Sequence, residues 1–346
     1  MPSLPPLDIR NNTNAAPHVV ILGAGASLAA FPKGDVNGKH LPLMRNLVEV
    51  IGLEPLLRDN GITEGFDDFE SLYDGLVTKG AAPDLIRKLE DQVRNYFQAM
   101  QLPPEATIYD MLILSLREKD LIASFNWDPF LAQAFKRNRH LKRLPEIAFL
   151  HGNVEVGSCH EHRKSGFLTH RCSECSKPFA PSKLLFPVKQ KDYTIDPFIN
   201  SEWKTLRAFF SRAYLITIFG YSAPTTDIVA KTLMLEKWKE NQTRELAEIE
   251  IVDIRPKAEL EATWKEFFVR QHYAIWNDVF KTCAFRNVRR SCEAFAMATL
   301  QNDPWRENPF PCMTDLARLQ AWLRPLLQEE EQGHFSGQPC MHIKGV

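Results

Sequence analysis

Cys159 and His162 stand two residues apart, Cys172 and Cys175 likewise, and nine residues separate the pairs. Two such knuckles supply the four nitrogen and sulfur ligands of a tetrahedral zinc ion, and four protein ligands leave no open position, so the expected role is structural. His160 and His170 are rival ligands to His162, and a chance cluster of reduced thiols is the plainer alternative. A second chemical signal is the run His18-Val-Val-Ile-Leu-Gly-Ala-Gly-Ala-Ser27, an apolar strand entering a glycine turn. Gly23, Ala24, Gly25 and Ser27 suit a phosphate cradle, because glycines let the backbone approach and the next helix aims free N–H groups at the anion. A tight strand-to-helix turn without ligand uses the same residues. The third glycine of the dinucleotide fingerprint would fall at Leu28, and no acidic residue closes a second strand about 20 residues on, so a dehydrogenase-type site is not supported.

Three more segments end apolar runs. In Ser124-Phe-Asn-Trp-Asp128 the Asn126 amide suits ribose hydroxyls or a water molecule, whereas Asp128 is also placed to cap a helix beginning at Pro129. His151, followed by Gly152, has the near-neutral pKa of a general base, although a lone histidine is more often structural. In Phe219-Gly-Tyr-Ser222, Gly220 and Ser222 suit a second phosphate or a ribose, and Asp227 suits the same site or a helix cap. Asp253 ends the last strand, where a carboxylate can accept from ribose hydroxyls.

These residues need a scaffold that brings strand ends together. Short β-branched runs at Val19–Leu22, Leu121–Phe125, Ile147–Leu150, Tyr214–Phe219 and Ile249–Asp253 read as buried strands, with a further short one at Leu184–Phe186. Helical signals cover 129–137, 201–211, 226–239 and everything from Lys257 onward, including a stripe of Leu316, Leu319, Trp322, Leu323 and Leu326. Leu85, Ile86, Leu89, Val93, Tyr96, Phe97 and Met100 repeat at helical spacing, and Asp67-Asp-Phe-Glu70 reads as a capping box. Strands separated by helices predict an α/β fold, a Rossmann-like parallel sheet covered on both faces. The expected organisation is a flexible 1–17, an α/β unit over 18–255, a helical region over 256–331 and a loose tail at 332–346. Within the α/β unit, a helical insertion is expected at about 35–117 and a polar, loop-like metal module at about 154–182.

The chain has 346 residues, 44% of them hydrophobic, enough for a large core. Its formal net charge of −1 gives no bulk footprint for nucleic acid or an anionic membrane. The start Met1-Pro-Ser-Leu-Pro-Pro lacks the charged and apolar parts of a signal peptide, and no apolar stretch approaches the ~18 residues that cross a bilayer. Three of seven cysteines share one window while Cys283, Cys292, Cys312 and Cys340 are scattered, the usage of a cytoplasmic protein with one metal site.

Taken in order, the segments resemble the sirtuin-like NAD-binding family over roughly residues 18–255. The likeness is carried by the Gly-Ala-Gly-Ala-Ser turn, by Asn126-x-Asp128 in place of the sirtuin Gln-Asn-Ile-Asp, by His151-Gly152 followed directly by a zinc module, and by Gly-Tyr-Ser before a late strand. The resemblance implies NAD lying along the glycine turn. Gly23, Ala24, Gly25 and Ser27 would hold pyrophosphate, helped by Gly220 and Ser222, and Asp253 would contact adenosine. It implies further that Asn126 positions ribose and water, that His151 is the base, and that Asp128 holds the carboxamide. Sirtuin deacylases carry Gly-Ile-Pro-Asp-Phe-Arg after the glycine turn, whereas this chain reads Phe31-Pro-Lys-Gly-Asp-Val-Asn-Gly-Lys39. Phe125 replaces the Gln, His162 replaces one zinc Cys, and no peptide-binding segment follows Phe186. The chain is thus more similar to bacterial sirtuin-like NAD hydrolases of the anti-phage type, in which Asp67-Asp-Phe-Glu70 also recurs. That likeness implies an NAD glycohydrolase releasing nicotinamide and ADP-ribose. A protein deacylase and a non-catalytic NAD or ADP-ribose sensor are the alternatives. A hydrolase of this kind needs restraint, so a homo-oligomer or a regulatory protein is the expected partner, on the helical surfaces at 42–117 and 257–330.

Overall fold

The structure, a computed structural model, describes residues 16–188 and 191–332. Most of the expected flexible leader, most of the tail, and Cys340 lie outside the described residues. Ala16 and Pro17, expected in that leader, are instead buried, with the Pro17 carbonyl accepting from Tyr214 N–H at 2.9 Å.

Nine strands are formed among the described residues: β1 (His18–Leu22), β2 (Leu121–Ser124), β3 (Glu146–Phe149), β4 (Val156–Cys159), β5 (Lys164–Phe167), β6 (Ala180–Pro181), β7 (Leu215–Phe219), β8 (Glu248–Val252) and β9 (Tyr273–Trp276). Six make one parallel sheet in the order β3-β2-β1-β7-β8-β9. Renumbered within the sheet this is 3-2-1-4-5-6, the doubly wound order, whose switch point lies between β1 and β7. Every residue of β1, β2 and β7 is buried, as a sheet covered on both faces requires. The register lines up Phe149, Ser124, Leu22, Phe219, Val252 and Trp276 in one row. The residues that follow them therefore leave the sheet side by side.

The segment after Lys257 is not wholly helical, since β9 lies within it and completes the sheet. The module at 154–182 is not a loop but the antiparallel sheet β5-β4-β6. Leu184–Phe186 forms no strand. Helices Leu47–Ile51, Glu54–Asp59, Phe69–Thr78, Pro83–Gln98 and Ile108–Ser115 occupy the stretch between β1 and β2. Pro83–Gln98 buries Leu85, Leu89, Val93 and Phe97, one face at the expected spacing. The cap of Phe69–Thr78 is Asp68, which accepts from Ser71 N–H at 3.2 Å, and this leaves Glu70 in the first turn. Helix Leu316–Glu331 buries Leu319, Leu323 and Leu326 against Leu114 and Val288, at roughly 1.5–3 kcal/mol per leucine. Among the described residues no helix is long and apolar enough to cross a membrane.

Candidate active site

A partly open cleft of about 80 Å³ lies at the carboxyl ends of β1, β2 and β3, beside the switch point. Ala24 and Ser27 reach it from the turn after β1, Asn126, Trp127 and Asp128 from the turn after β2, and His151 from the turn after β3. Asp227 and Lys191 close one side, and Glu70, Met44, Leu47 and Phe97 of the insertion close another.

The glycines earn their place by packing. A Cβ on Gly23 would lie 2.5 Å from the Gly220 carbonyl oxygen, and one on Gly220, at φ +61°, would lie 2.2 Å from the Ala26 nitrogen. The Gly23 amide donates to Phe219 O and the Gly25 amide to Gly220 O, each at 3.0 Å. The N–H groups of Gly23 and Gly25, two of the four residues expected to cradle phosphate, are thus engaged within the protein, and Ala24 is the exposed residue of the turn at the cleft.

Around Ser27 a buried network uses every hydroxyl valence. Its Oγ donates to Asp128 Oδ2 at 2.6 Å and accepts from Tyr109 O–H at 2.5 Å and Asn126 Nδ2 at 2.9 Å. Asn126 also donates to Gly23 O at 2.9 Å, so its amide fastens the turn after β2 to the turn after β1. Its expected role at a ribose is left to Oδ1, which has no hydrogen-bond partner among the described residues. Asp128 accepts from Phe130 N–H at 3.2 Å, the helix-capping role weighed for it. Burial pushes its carboxyl up to about 6, against the hydrogen bonds from Ser27 and Phe130. Trp127 lines the cleft with its indole N–H buried and without a partner among the described residues.

His151 is fixed from behind. Gly152, at φ +75°, passes so close to Lys183 that a Cβ would lie 1.9 Å from its carbonyl oxygen. The His151 carbonyl accepts from Leu185 N–H at 2.9 Å. The ring meets Phe125 edge-on at 4.8 Å and lies parallel to Tyr193 at 5.9 Å. Its Nε2 is 3.3 Å from the Tyr193 hydroxyl and 3.8 Å from Asp227 Oδ1. Burial, then the Lys191 charge, lowers its pKa to about 3, with Asp227 opposing, so the imidazole is neutral. Asp227 makes no cap bond with its own helix. It pairs with buried Lys191 through Oδ1 and accepts from the Tyr221 hydroxyl at 3.2 Å through Oδ2. Burial raises the Asp227 carboxyl, but its charged and hydrogen-bonding neighbours, Lys191 and Tyr221 among them, bring it below the usual range. Burial, then Asp227, raises the Glu70 carboxyl.

The structure brings Ala24, Ser27, Asn126, Asp128 and His151 together at one cleft, whereas Gly23, Gly25 and Gly220, expected as phosphate contacts, pack behind it and do not line it. Ser222 and Asp253 are not in its walls. Asp253 turns to Arg255, accepting from its backbone N–H at 3.0 Å and its guanidinium at 2.9 Å. The stacked rings of Phe125 and Tyr221, 4.1 Å apart and 5° from parallel, pack at the seam where the turns after β2 and β7 meet. Lys191, Tyr193, Trp127 and the insertion's Glu70 were not predicted. The capping-box reading and the family resemblance drew attention to Asp67-Asp-Phe-Glu70, but neither gave Glu70 a place in the site.

The ligand atoms of Cys159, His162, Cys172 and Cys175 all lie within 4.8 Å of one another. A tetrahedral zinc ion bound at about 2.3 Å by sulfur and about 2.0 Å by nitrogen spaces its ligands at about 3.8 Å (S···S) and about 3.5 Å (S···N). The separations are 3.7 Å for Cys159–Cys175, 3.5 Å for Cys159–His162 and 3.8 Å for Cys172–His162, so these four residues fit zinc. His160 is exposed, and His170 faces Arg139 at 3.0 Å, so neither rivals His162. Hydrogen bonding to His162 draws the Cys159 thiol down to about 6.

No protein-family profile matches the chain, and no curated protein matches it. Among solved structures the chain is similar to a Sir2 homolog–NAD complex, with 13% identity over 92% of this chain and 93% of that one at a TM-score of 0.40. It is similar to Sir2 bound to the inhibitor EX-527, 2'-O-acetyl-ADP-ribose and deacetylated p53 peptide, with 14% identity over 83% and 94% at 0.39. A sirtuin structure on substrate affinity gives 15% over 80% and 94% at 0.41. Likenesses this low assign no family, and the functional reading rests on the chain's own residues.

Proposed function

We propose that the cleft hydrolyses NAD at the nicotinamide–ribose bond. The observation that carries this reading is a buried His151 after the end of β3, its Nε2 3.8 Å from Asp227 Oδ1, lining the same cleft as Asn126. Water attacks the ribose C1′, the C–N bond breaks with its electron pair passing to the ring nitrogen, and the proton released from water passes to His151. The leaving ring already carries positive charge and needs no acid, so orientation and a base suffice. The partnerless Trp127 N–H in the cleft wall is a donor suited to an oxygen of the substrate. Leu185, Pro187 and Lys191 of the chain itself wall the cleft on the side of the zinc module, which favours a free dinucleotide over a peptide as substrate.

The test is to incubate the purified chain with NAD and no peptide and to quantify nicotinamide and ADP-ribose. We expect release that falls on the order of 10²–10⁴-fold in His151→Ala. Release only with an acylated peptide would instead identify a deacylase, and binding without turnover a sensor. A bacterial, cytoplasmic role in phage defence and a regulating oligomer or partner belong to the same proposal and rest on the sequence resemblance. NAD depletion in infected cells, set against uninfected ones, tests them.

A further inference from the structure

Among the described residues Lys191 is the one strongly basic group in the cleft wall, and it is buried, its side chain only 4% exposed. Its ammonium takes the Asp227 oxygen that faces His151, Oδ1. The cleft measures about 80 Å³, against roughly 300–1,000 Å³ for ligand pockets in general, so a dinucleotide cannot enter without something leaving. The Asp227 carboxylate has no such freedom, being anchored through Oδ2 by the buried Tyr221 hydroxyl at 3.2 Å.

We infer that Lys191 is a built-in occupant of the cleft, displaced when the positively charged nicotinamide ring arrives, and that Asp227 is the specificity residue that trades one cation for the other. This rests on the NAD reading. The exchange preserves charge: a buried carboxylate keeps a cationic partner in both states, so neither state leaves it unpaired, which would be costly. A neutral ligand cannot make that trade. The shift in population comes from the difference in affinity of the ring for the two arrangements.

The experiment measures calorimetric binding of carba-NAD, a non-hydrolysable analogue with the charged ring, and of NADH, whose ring is neutral, to the full chain and its variants. Lys191→Met should bind carba-NAD at least tenfold more tightly than wild type, with a smaller gain for NADH. The double variant Lys191→Met/Asp227→Asn should bind the two ligands alike. The double variant leaves no unpaired charge, so it carries the test if Lys191→Met alone does not fold: it should bind NADH more tightly than wild type and show no preference for carba-NAD. Unchanged or weaker binding in the Lys191 variants, or equal gains for both ligands in Lys191→Met, overturns the inference while leaving the NAD reading standing. Absence of binding to every form, wild type included, overturns the NAD reading and the inference with it.

Discussion

The Gly25 amide donates to the Gly220 carbonyl at 3.0 Å, joining the turn after β1 to the turn after β7 across the switch point. No side chain fits between them. Gly220→Ala puts a methyl group 2.2 Å from the Ala26 nitrogen at a φ of +61°, strained on both counts. We expect a loss of about 2–3 kcal/mol in urea unfolding and weaker NAD binding. A variant with wild-type stability would show that the two turns separate freely.

Zinc is expected at one equivalent per chain, and Cys175→Ser should lose it. Because β4, β5 and β6 are short and pack on a small apolar cluster of Cys159, Cys172 and Phe179, the module depends on the ion for its order. Chelation should therefore raise amide exchange across 156–181 while β1, β2 and β7 remain protected. Metal content together with hydrogen exchange reads both effects.

Arg289 lies fully buried with Nε and one terminal nitrogen on the two oxygens of Glu330, at 2.7 and 2.5 Å, and a third donor on Leu116 O at 2.8 Å. This pair ties helix Leu316–Glu331 to the body of the protein. Removing one partner leaves a buried charge, so Glu330→Gln should cost about 3–5 kcal/mol in equilibrium unfolding. A loss below about 1 kcal/mol would mean that the helix is held by its leucines alone.

His18 bridges Thr217 Oγ1 at 2.8 Å and Ser291 Oγ at 2.9 Å inside the protein, and burial lowers its pKa to about 4. The unfolded chain, with an ordinary histidine near 6.5, binds the proton that the folded chain refuses. This contribution is therefore whole above about pH 6.5 and lost as pH falls toward 4. Glu250 and Glu202, both pushed up to about 7 by burial, act with the opposite sign over the same range, so the effect must be read as a difference. Wild type should lose about 2 kcal/mol relative to His18→Gln between pH 8 and pH 5. A pH-independent difference would refute the assignment.

The parts of this molecule that sequence made legible are those where one local pattern has one outcome. The runs that became β1, β2 and β7 are apolar throughout because both faces are covered, and the zinc ligands sit at fixed spacing on two short turns. β9 was missed because Tyr273–Trp276 is a four-residue edge strand, only partly buried, whose identity comes from pairing with β8. β4, β5 and β6 carry little hydrophobic signal since metal ligands, rather than a core, organise them. The hold of Asn126 on Gly23 and Ser27 was not legible, because nothing near it in sequence announces them as its partners. Asp227 was legible only as a cap or a ligand contact, and its actual partners, Lys191 and Tyr221, depend on how the segment after the zinc module returns to the cleft.

The aligned row of strand ends has a kinetic side. β1 lies between β2 and β7, and His18 stands in register with Leu215 while Val19 stands beside Leu121. The central strand of the sheet therefore gains its second neighbour, β7, only once residue 219 of 346 has been synthesised. Contacts so distant along the chain form late and slowly. A ribosome-bound fragment ending before Leu215 has β1 without β7 and the glycine turn without Gly220. The cleft thus cannot be completed before Asp227 has been made, although Ala24, Asn126 and His151 are present long before.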